Sequence, residues 1–382
     1  MNRKNIIIFR DKILPLSETF IFNQAKNLSE FTPHFMGYKK VPNGINTSDF
    51  NTIINNENAP ERNTLSEVFL KIIQFNPKFF VQGKKINPSL IHAHFGIDGV
   101  LALPLARQLK VPLVVTFHGY DITVKDEYLA RQSFNVRNYV RKKHKLIKKG
   151  DLFIAVSNFI KNKMIEKGFP EHKIITHYIG VDLTRLVVNP EVQRKPAILF
   201  VGRLVKNKGC HILLDAMEYV FANCPECELW IVGDGPEKNT LEKKARKFGS
   251  KVKFMGSLPY DEVIRTMNMA TILSVPSIEV ESGASEGFGM VFAEANAMGL
   301  PVASFKTGGI PEAVLDGETG FLVEPGDTKA LAHSIVELMN NKDLWRRMSD
   351  SGMNRVRRDL DIVKQTKKLE DIYFNLVTCE QR

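Results

Sequence analysis

Short apolar runs alternate with longer stretches of helical periodicity along the whole chain. The runs at Ile6–Phe9, Leu90–Phe95, Leu113–His118, Leu152–Ser157 and Ile174–Ile179 form one series. A second series follows at Ile198–Gly202, Leu229–Gly233, Val252–Gly256, Ile272–Pro276, Pro301–Phe305 and Gly320–Val323. Most of these runs are continuous and rich in β-branched residues rather than alternating with polar ones. That is the pattern of strands buried on both faces of a parallel sheet. Strands spaced by helical segments predict an α/β protein built from doubly wound sheets. Right-handed crossovers then bring the carboxyl ends of the strands to one edge, where such sheets bind ligands.

The polar stretch 187–196, with two prolines, separates the two series and predicts the domain boundary. This gives an N-terminal domain over 1–188 and a C-terminal domain over 189–362. A charged helical tail over 363–382 is free to cross back onto the first domain. Residues 40–64 are rich in Asn, Thr, Pro and Asp and read as a surface loop. A length of 382 residues suits two ordinary domains. Composition, 43% hydrophobic and 25% charged, is that of a globular protein in water. No apolar run reaches the roughly eighteen residues of a membrane span. The four apolar residues after the first basic pair are too few for a secretory core. The expectation is a cytoplasmic protein.

Charge changes the picture for the first half only. The net charge of +11 divides into +13 over residues 1–190 and −2 over 191–382. The densest basic run lies between Arg137 and Lys149. It reads either as a solvated lysine-rich helix face or as a patch drawn to an anionic membrane, which would place the protein at the inner face of the plasma membrane. No nucleic-acid motif or interleaved aromatic residue accompanies it, so nucleic acid is not an expected partner. Cys224 and Cys227 form a C-x-x-C pair in a turn, with no second pair to complete a zinc site. With Cys210 and Cys379 isolated, the cysteines read as structural residues of a reducing compartment.

Candidate chemistry gathers after the strands of the second half. Glu286 and Glu294 bracket E-G-F-G-M-V-F-A-E, in which Gly287 and Gly289 precede a helix start. The first N–H groups of such a helix, from Met290 and Val291, lack intrahelical partners and favour an anion. The backbone of Gly287, Phe288 and Gly289 lets a phosphate approach closely. Eight residues of helix span about 12 Å, placing one carboxylate above the anion and the other two turns below. A nucleotide-diphospho-sugar fits that layout; an ordinary amphipathic helix with a glutamate at each end is the plain alternative. Arg203 follows the strand Ile198–Gly202, and Lys208 stands five residues later. Together they would neutralise charge on a leaving diphosphate without a metal ion. Gly233 and Gly235 of V-G-D-G-P end the next strand, and Met255 of F-M-G-S-L the one after, where backbone groups would meet a base. In the first half, T-F-H-G-Y-D puts His118 at a strand's carboxyl end, and Ser17 of S-E-T-F-I is placed to cap a helix. His94, one strand earlier, reads as structural.

Taken together, these motifs resemble the retaining, nucleotide-sugar-dependent glycosyltransferases of family 4. The strongest stretch is Glu286–Gly309, continuing into I-P-E-A-V and G-E-T-G-F-L-V, with V-G-R-L-V-K-N-K-G, V-G-D-G-P and H-G-Y-D in matching order. S-E-T-F-I and H-A-H-F-G are most similar to the branch that builds bacterial exopolysaccharides of the colanic-acid type. The chain departs from the family pattern at Leu14–Phe20, which lacks glycine, and at H-Y-I-G-V-D, residues 177–182.

The resemblance implies the GT-B fold, two Rossmann-like domains facing a cleft. It implies that Glu294 holds the ribose hydroxyls and that Glu286 and the Gly287–Gly289 backbone hold the donor sugar. Arg203 and Lys208 would stabilise the diphosphate, and His118 would touch the transferred sugar. The implied reaction is metal-independent transfer of a hexose, with no resident cofactor, from a UDP-sugar or, second, a GDP-sugar. The acceptor would be a hydroxyl of a glycan or of a polyprenyl-diphosphate-linked oligosaccharide. A nucleotide-sugar epimerase of the same fold and a non-catalytic nucleotide-sugar-binding partner are the alternatives.

Overall fold

The computed structural model describes residues 3–15, 18–42, 44–56 and 64–379. The chain divides into two units, Met1–Gly180 with Ile362–Arg382, and Val181–Asp361. The division falls ahead of the 187–196 stretch.

Unit 1 is built on a seven-stranded sheet. Its strands are β1 (Lys4–Phe9), β2 (Phe31–Gly37), β3 (Asn51–Ile54), β4 (Leu90–His94), β5 (Leu113–Phe117), β6 (Leu152–Ala155) and β7 (Ile174–Thr176). Their order is β3-β2-β1-β4-β5-β6-β7, with every pairing parallel. Every residue of β4 and β5 is buried, as strands covered by helices on both faces must be. Two strands here depart from the sequence reading. β2, F-T-P-H-F-M-G, carries Pro33, which cannot donate to a ladder. The register explains its place: Pro33 pairs with Ile6 on one side, whereas β3 begins alongside only at His34. β3 itself lies inside the 40–64 stretch read as a loop. It is a four-residue edge strand whose Ile53 and Ile54 are buried.

The C-terminal helix Ile362–Cys379 belongs to unit 1. Its Leu369, Tyr373 and Val377 join Ile6, Phe31 and Leu90 in one apolar core. Glu370, buried among them, accepts the backbone N–H groups of Ser29 and Glu30, both at 2.7 Å. Among the described residues, no helix is long and apolar enough to cross a membrane.

Unit 2 repeats the plan with six strands: β8 (Ala197–Val201), β9 (Glu228–Val232), β10 (Val252–Gly256), β11 (Ile272–Leu273), β12 (Val302–Phe305) and β13 (Gly320–Val323). The order is β10-β9-β8-β11-β12-β13, again all parallel. Two doubly wound parallel sheets are thus present, as the hydrophobic pattern predicts. In each unit the strand carboxyl ends share one edge, and the candidate residues lie there.

Candidate active site

In unit 2 the edge is assembled from loops that hold one another by their backbones. After β8, Gly202 donates to Val232 O at 3.0 Å, and Leu204 to Asp234 O at 2.9 Å. After β9, Gly233 donates to Gly256 O at 2.8 Å, so the loops carrying Arg203, Gly233, Gly235 and Met255 form one rim. Arg203 and Met255 are exposed on it. Lys208 ends a 3-10 turn, Lys206–Lys208, directly before the helix Cys210–Asn223.

The loop after β11 brings Glu286 to this rim, where its carboxylate pairs with Lys208 Nζ. Both side chains stay partly exposed, at 13% and 23%. The loop is seated by a close approach of chain to chain. Gly309 donates to Glu286 O at 3.0 Å, and a Cβ at Gly309 would lie 2.0 Å from Gly287 O. Gly289, at φ 84°, is the N-cap of the helix Met290–Ala297, a left-handed conformation that favours glycine. No side chain caps this end and no acidic residue stands in its first turn. Phe288 is buried beneath it. The helix thus begins only at Met290. Glu286 lies on the preceding loop and Glu294 about one turn into the helix, not two turns below the other carboxylate.

Glu294 accepts a hydrogen bond from Tyr260 Oη at 3.0 Å. Burial raises its pKa above the ordinary carboxylate value, against the Tyr260 hydrogen bond and the charge of Arg185. Arg185 lies over the Tyr260 ring at 4.6 Å and pairs with Asp261 at 2.5 Å. Neither Tyr260 nor Arg185 carries a sequence signal; each sits in a segment without a motif. Four buried hydroxyls, of Ser274, Ser277, Ser285 and Thr307, have no hydrogen-bond partner among the described residues. They follow β11 and β12 on the same edge.

In unit 1, His118 follows β5 and is partly exposed. Its Nε2 lies 3.1 Å from His94 Nδ1, and the two rings stack at 5.3 Å. Phe20 and Phe95 flank it at 4.8 and 4.6 Å. Burial, then the charge of Arg10 and the neighbouring His92, hold His118 well below the ordinary histidine value. His118 is therefore a neutral imidazole at pH 7. Its main chain is fixed by Asp121, whose carboxylate accepts N–H groups from His118, Gly119 and Gly96. His94 is buried, and its Nε2 has no partner among the described residues. His92 is satisfied by Tyr373 Oη at 2.5 Å and Thr116 Oγ1 at 2.7 Å, and burial drives its pKa to about 3. The helix expected to be capped by Ser17 begins at Thr19 with Glu18 as N-cap; Ser17 lies outside the described residues.

Behind this row lies a group of buried charges that the sequence does not announce. Arg10 pairs with Asp98 and Glu18, donates to His94 O at 3.0 Å, and lies over the Phe95 ring at 4.6 Å. Asp11 pairs with Lys71 at 2.6 Å, and Lys39 with Glu67 at 3.2 Å. Burial opposes the charge on Arg10, but Asp98 and Glu18 outweigh it and raise its pKa.

Cys210, Cys224 and Cys227 are free and buried; burial pushes Cys210 up to about 12 and also raises Cys224 and Cys227. Among the described residues, no group of three or more His, Cys, Asp or Glu side chains is placed to hold a metal ion.

Comparison with known proteins accounts for both units. Residues 186–355 match the family of group 1 glycosyl transferases, and residues 55–185 match Glycosyltransferase Family 4. An uncharacterized glycosyltransferase of Methanocaldococcus jannaschii is 31% identical over 266 residues, covering 69% of each chain. The putative colanic acid biosynthesis glycosyltransferase WcaL of Escherichia coli is 31% identical over 64% of this chain and 59% of its own length. Among solved structures, HepE of Anabaena in complex with UDP and glucose superimposes with a TM-score of 0.76 at 21% identity. That match covers 98% of this chain and all of the other, and identifies the two sheets as a GT-B fold. The chain is a family-4 glycosyltransferase, with a putative colanic acid biosynthesis glycosyltransferase among its relatives.

Proposed function

We propose that the protein transfers a hexose, with retention of anomeric configuration, from a nucleotide-diphospho-sugar to a hydroxyl of a glycan or polyprenyl-diphosphate-linked oligosaccharide. UDP is the first choice of nucleotide and GDP the second. The observation that carries this reading is the pairing of Lys208 with Glu286 beside the uncapped helix start at Gly289. A diphosphate on the N–H groups of Met290 and Val291 would take over Lys208 and release Glu286 to accept sugar hydroxyls. Arg203 would add a second cation, and Glu294 would accept the ribose hydroxyls. Neutral His118 would offer a hydrogen bond to the transferred sugar.

In the proposed reaction, the acceptor oxygen bonds to the anomeric carbon on the face that the diphosphate leaves. The bond from that carbon to the diphosphate oxygen breaks through an oxocarbenium-like state. The hydroxyl proton passes to an oxygen of the departing phosphate. No side chain acts as nucleophile and no resident metal is invoked; the protein contributes positioning and fixed charge. The basic first half favours an acceptor held at an anionic membrane face, on the cytoplasmic side.

The test is a thermal-shift screen with UDP, GDP, ADP, TDP and CMP. A ligand that binds only the folded chain raises Tm by mass action. One diphosphate should raise Tm selectively, and the shift at the same ligand concentration should be smaller in Glu294→Ala. No shift with any of them overturns the reading. Incubation with donor sugar alone separates it from an epimerase, which would convert the sugar without an acceptor.

A further inference from the structure

A glutamate that must meet a ligand in one orientation has three side-chain torsions to lose. Left to swing, it surrenders that freedom each time the ligand binds. The helix Met290–Ala297 fixes the Cα of Glu294 but not its carboxylate. The anchor arrives from another loop. After β10 the chain passes Pro259 and enters the helix Tyr260–Met269, whose first residue is Tyr260. Its Oη donates to Glu294 Oε1 at 3.0 Å across 34 residues of chain.

The direction of this bond is fixed. Burial and the charge of Glu294 hold the Tyr260 phenol well above its ordinary pKa, so it keeps its proton and donates. The ring is held in turn. Arg185 lies over it at 4.6 Å, and Asp261, the next residue of the same helix, pairs with Arg185 at 2.5 Å. The Tyr260 hydroxyl and the Arg185 charge both oppose the effect of burial on Glu294 and keep its carboxylate an acceptor. Glu294, Tyr260, Asp261 and Arg185 all belong to unit 2. Among the described residues only Oε1 of Glu294 is engaged, and the residue is partly exposed.

We propose that Tyr260 is a positioning residue of the nucleotide site: by holding Glu294 Oε1 it presents Oε2 to the ribose hydroxyls of the donor. This rests on the reading of Glu294 under Proposed function. It adds a preorganised acceptor, whose worth lies in ordering completed before the ligand arrives.

The test is titration calorimetry with UDP and with GDP, each beside its 2′-deoxy form. The proteins are the wild type, Tyr260→Phe, Glu294→Ala and the double variant. Phenylalanine keeps the ring beneath Arg185 and removes only the hydroxyl. Tyr260→Phe should bind the preferred ribonucleotide about threefold more weakly, with a smaller loss for its 2′-deoxy form. In the Glu294→Ala background the same substitution should change nothing, since the hydroxyl no longer has the group it acts on. A packing role would instead weaken both forms alike. The inference is overturned if Tyr260→Phe binds as the wild type does, or weakens both forms equally. It is also overturned if the substitution costs as much without Glu294 as with it, which would make Tyr260 itself a ligand contact. Any of these results, with nucleotide bound by the wild type, removes this inference alone. Binding of neither nucleotide by the wild type removes the donor-site reading, and this inference with it.

Discussion

The two units put charge to opposite uses at corresponding edges of similar sheets. In unit 1, Arg10, Asp98, Glu18, Asp11 and Lys71 are buried and engaged with one another. In unit 2, Lys208 and Glu286 are paired but reachable, and Arg203 is exposed. Ion pairs sealed from water cannot be exchanged for a ligand without large cost, so the first set fixes shape. A pair open to solvent has little net strength and is readily traded for phosphate. The difference teaches that accessibility, more than the presence of charge, separates the edge that could exchange its partners for a ligand from the edge that holds the fold.

The sharpest break of this contrast is Arg10→Ala. It strands Asp98 and Glu18 in the interior and should cost roughly 3–5 kcal/mol, read as a lower urea midpoint at constant slope. An unchanged midpoint would show that the network does not fix shape. Lys208→Ala should do the reverse, lowering turnover about a hundredfold while the midpoint stays near that of the wild type. Steady-state kinetics with the donor identified by thermal shift would check it.

A third test uses pH. His92 titrates near 3 in the folded chain and at the ordinary value when unfolded, so the unfolded state binds the extra proton between about 6.5 and 3. Its contribution is intact above that window and is lost as pH falls through it. Between pH 7 and 5 the loss is about 2 kcal/mol, and His92→Gln should lack that part of the decline in a pH series of urea melts. The smallest effect is expected for Glu294→Ala, about tenfold weaker binding of the nucleoside diphosphate in titration calorimetry. Unaltered affinity would remove Glu294 from the site.

The sheets were legible wherever strands were long and continuously apolar, as at Ile6–Phe9 and Leu113–Phe117. β2 and β3 were not. Pro33 contradicts a strand unless the register is known, and β3 is a short edge strand in an asparagine-rich stretch. The clustering of Lys208, Glu286 and the glycines on one edge of unit 2 was legible because they sit in local motifs at strand ends. The buried network was not, since Arg10 and Asp98 lie 88 residues apart and nothing local marks either. The helix Leu65–Ile73 shows its period in sequence, but which side turns inward depends on Asp11 and Lys39 arriving from elsewhere.

The helix Ile362–Cys379 has a consequence for the order in which the protein comes into being. Val181 and Asp361 form a β-bridge, so unit 2 leaves and returns at one place. A ribosome makes all of unit 2 before it makes Glu370 or Tyr373, on which Ser29, Phe31 and His92 depend. The half of the chain that is made first is therefore the last to be finished, because its core lacks one helix until the whole of unit 2 has been synthesised.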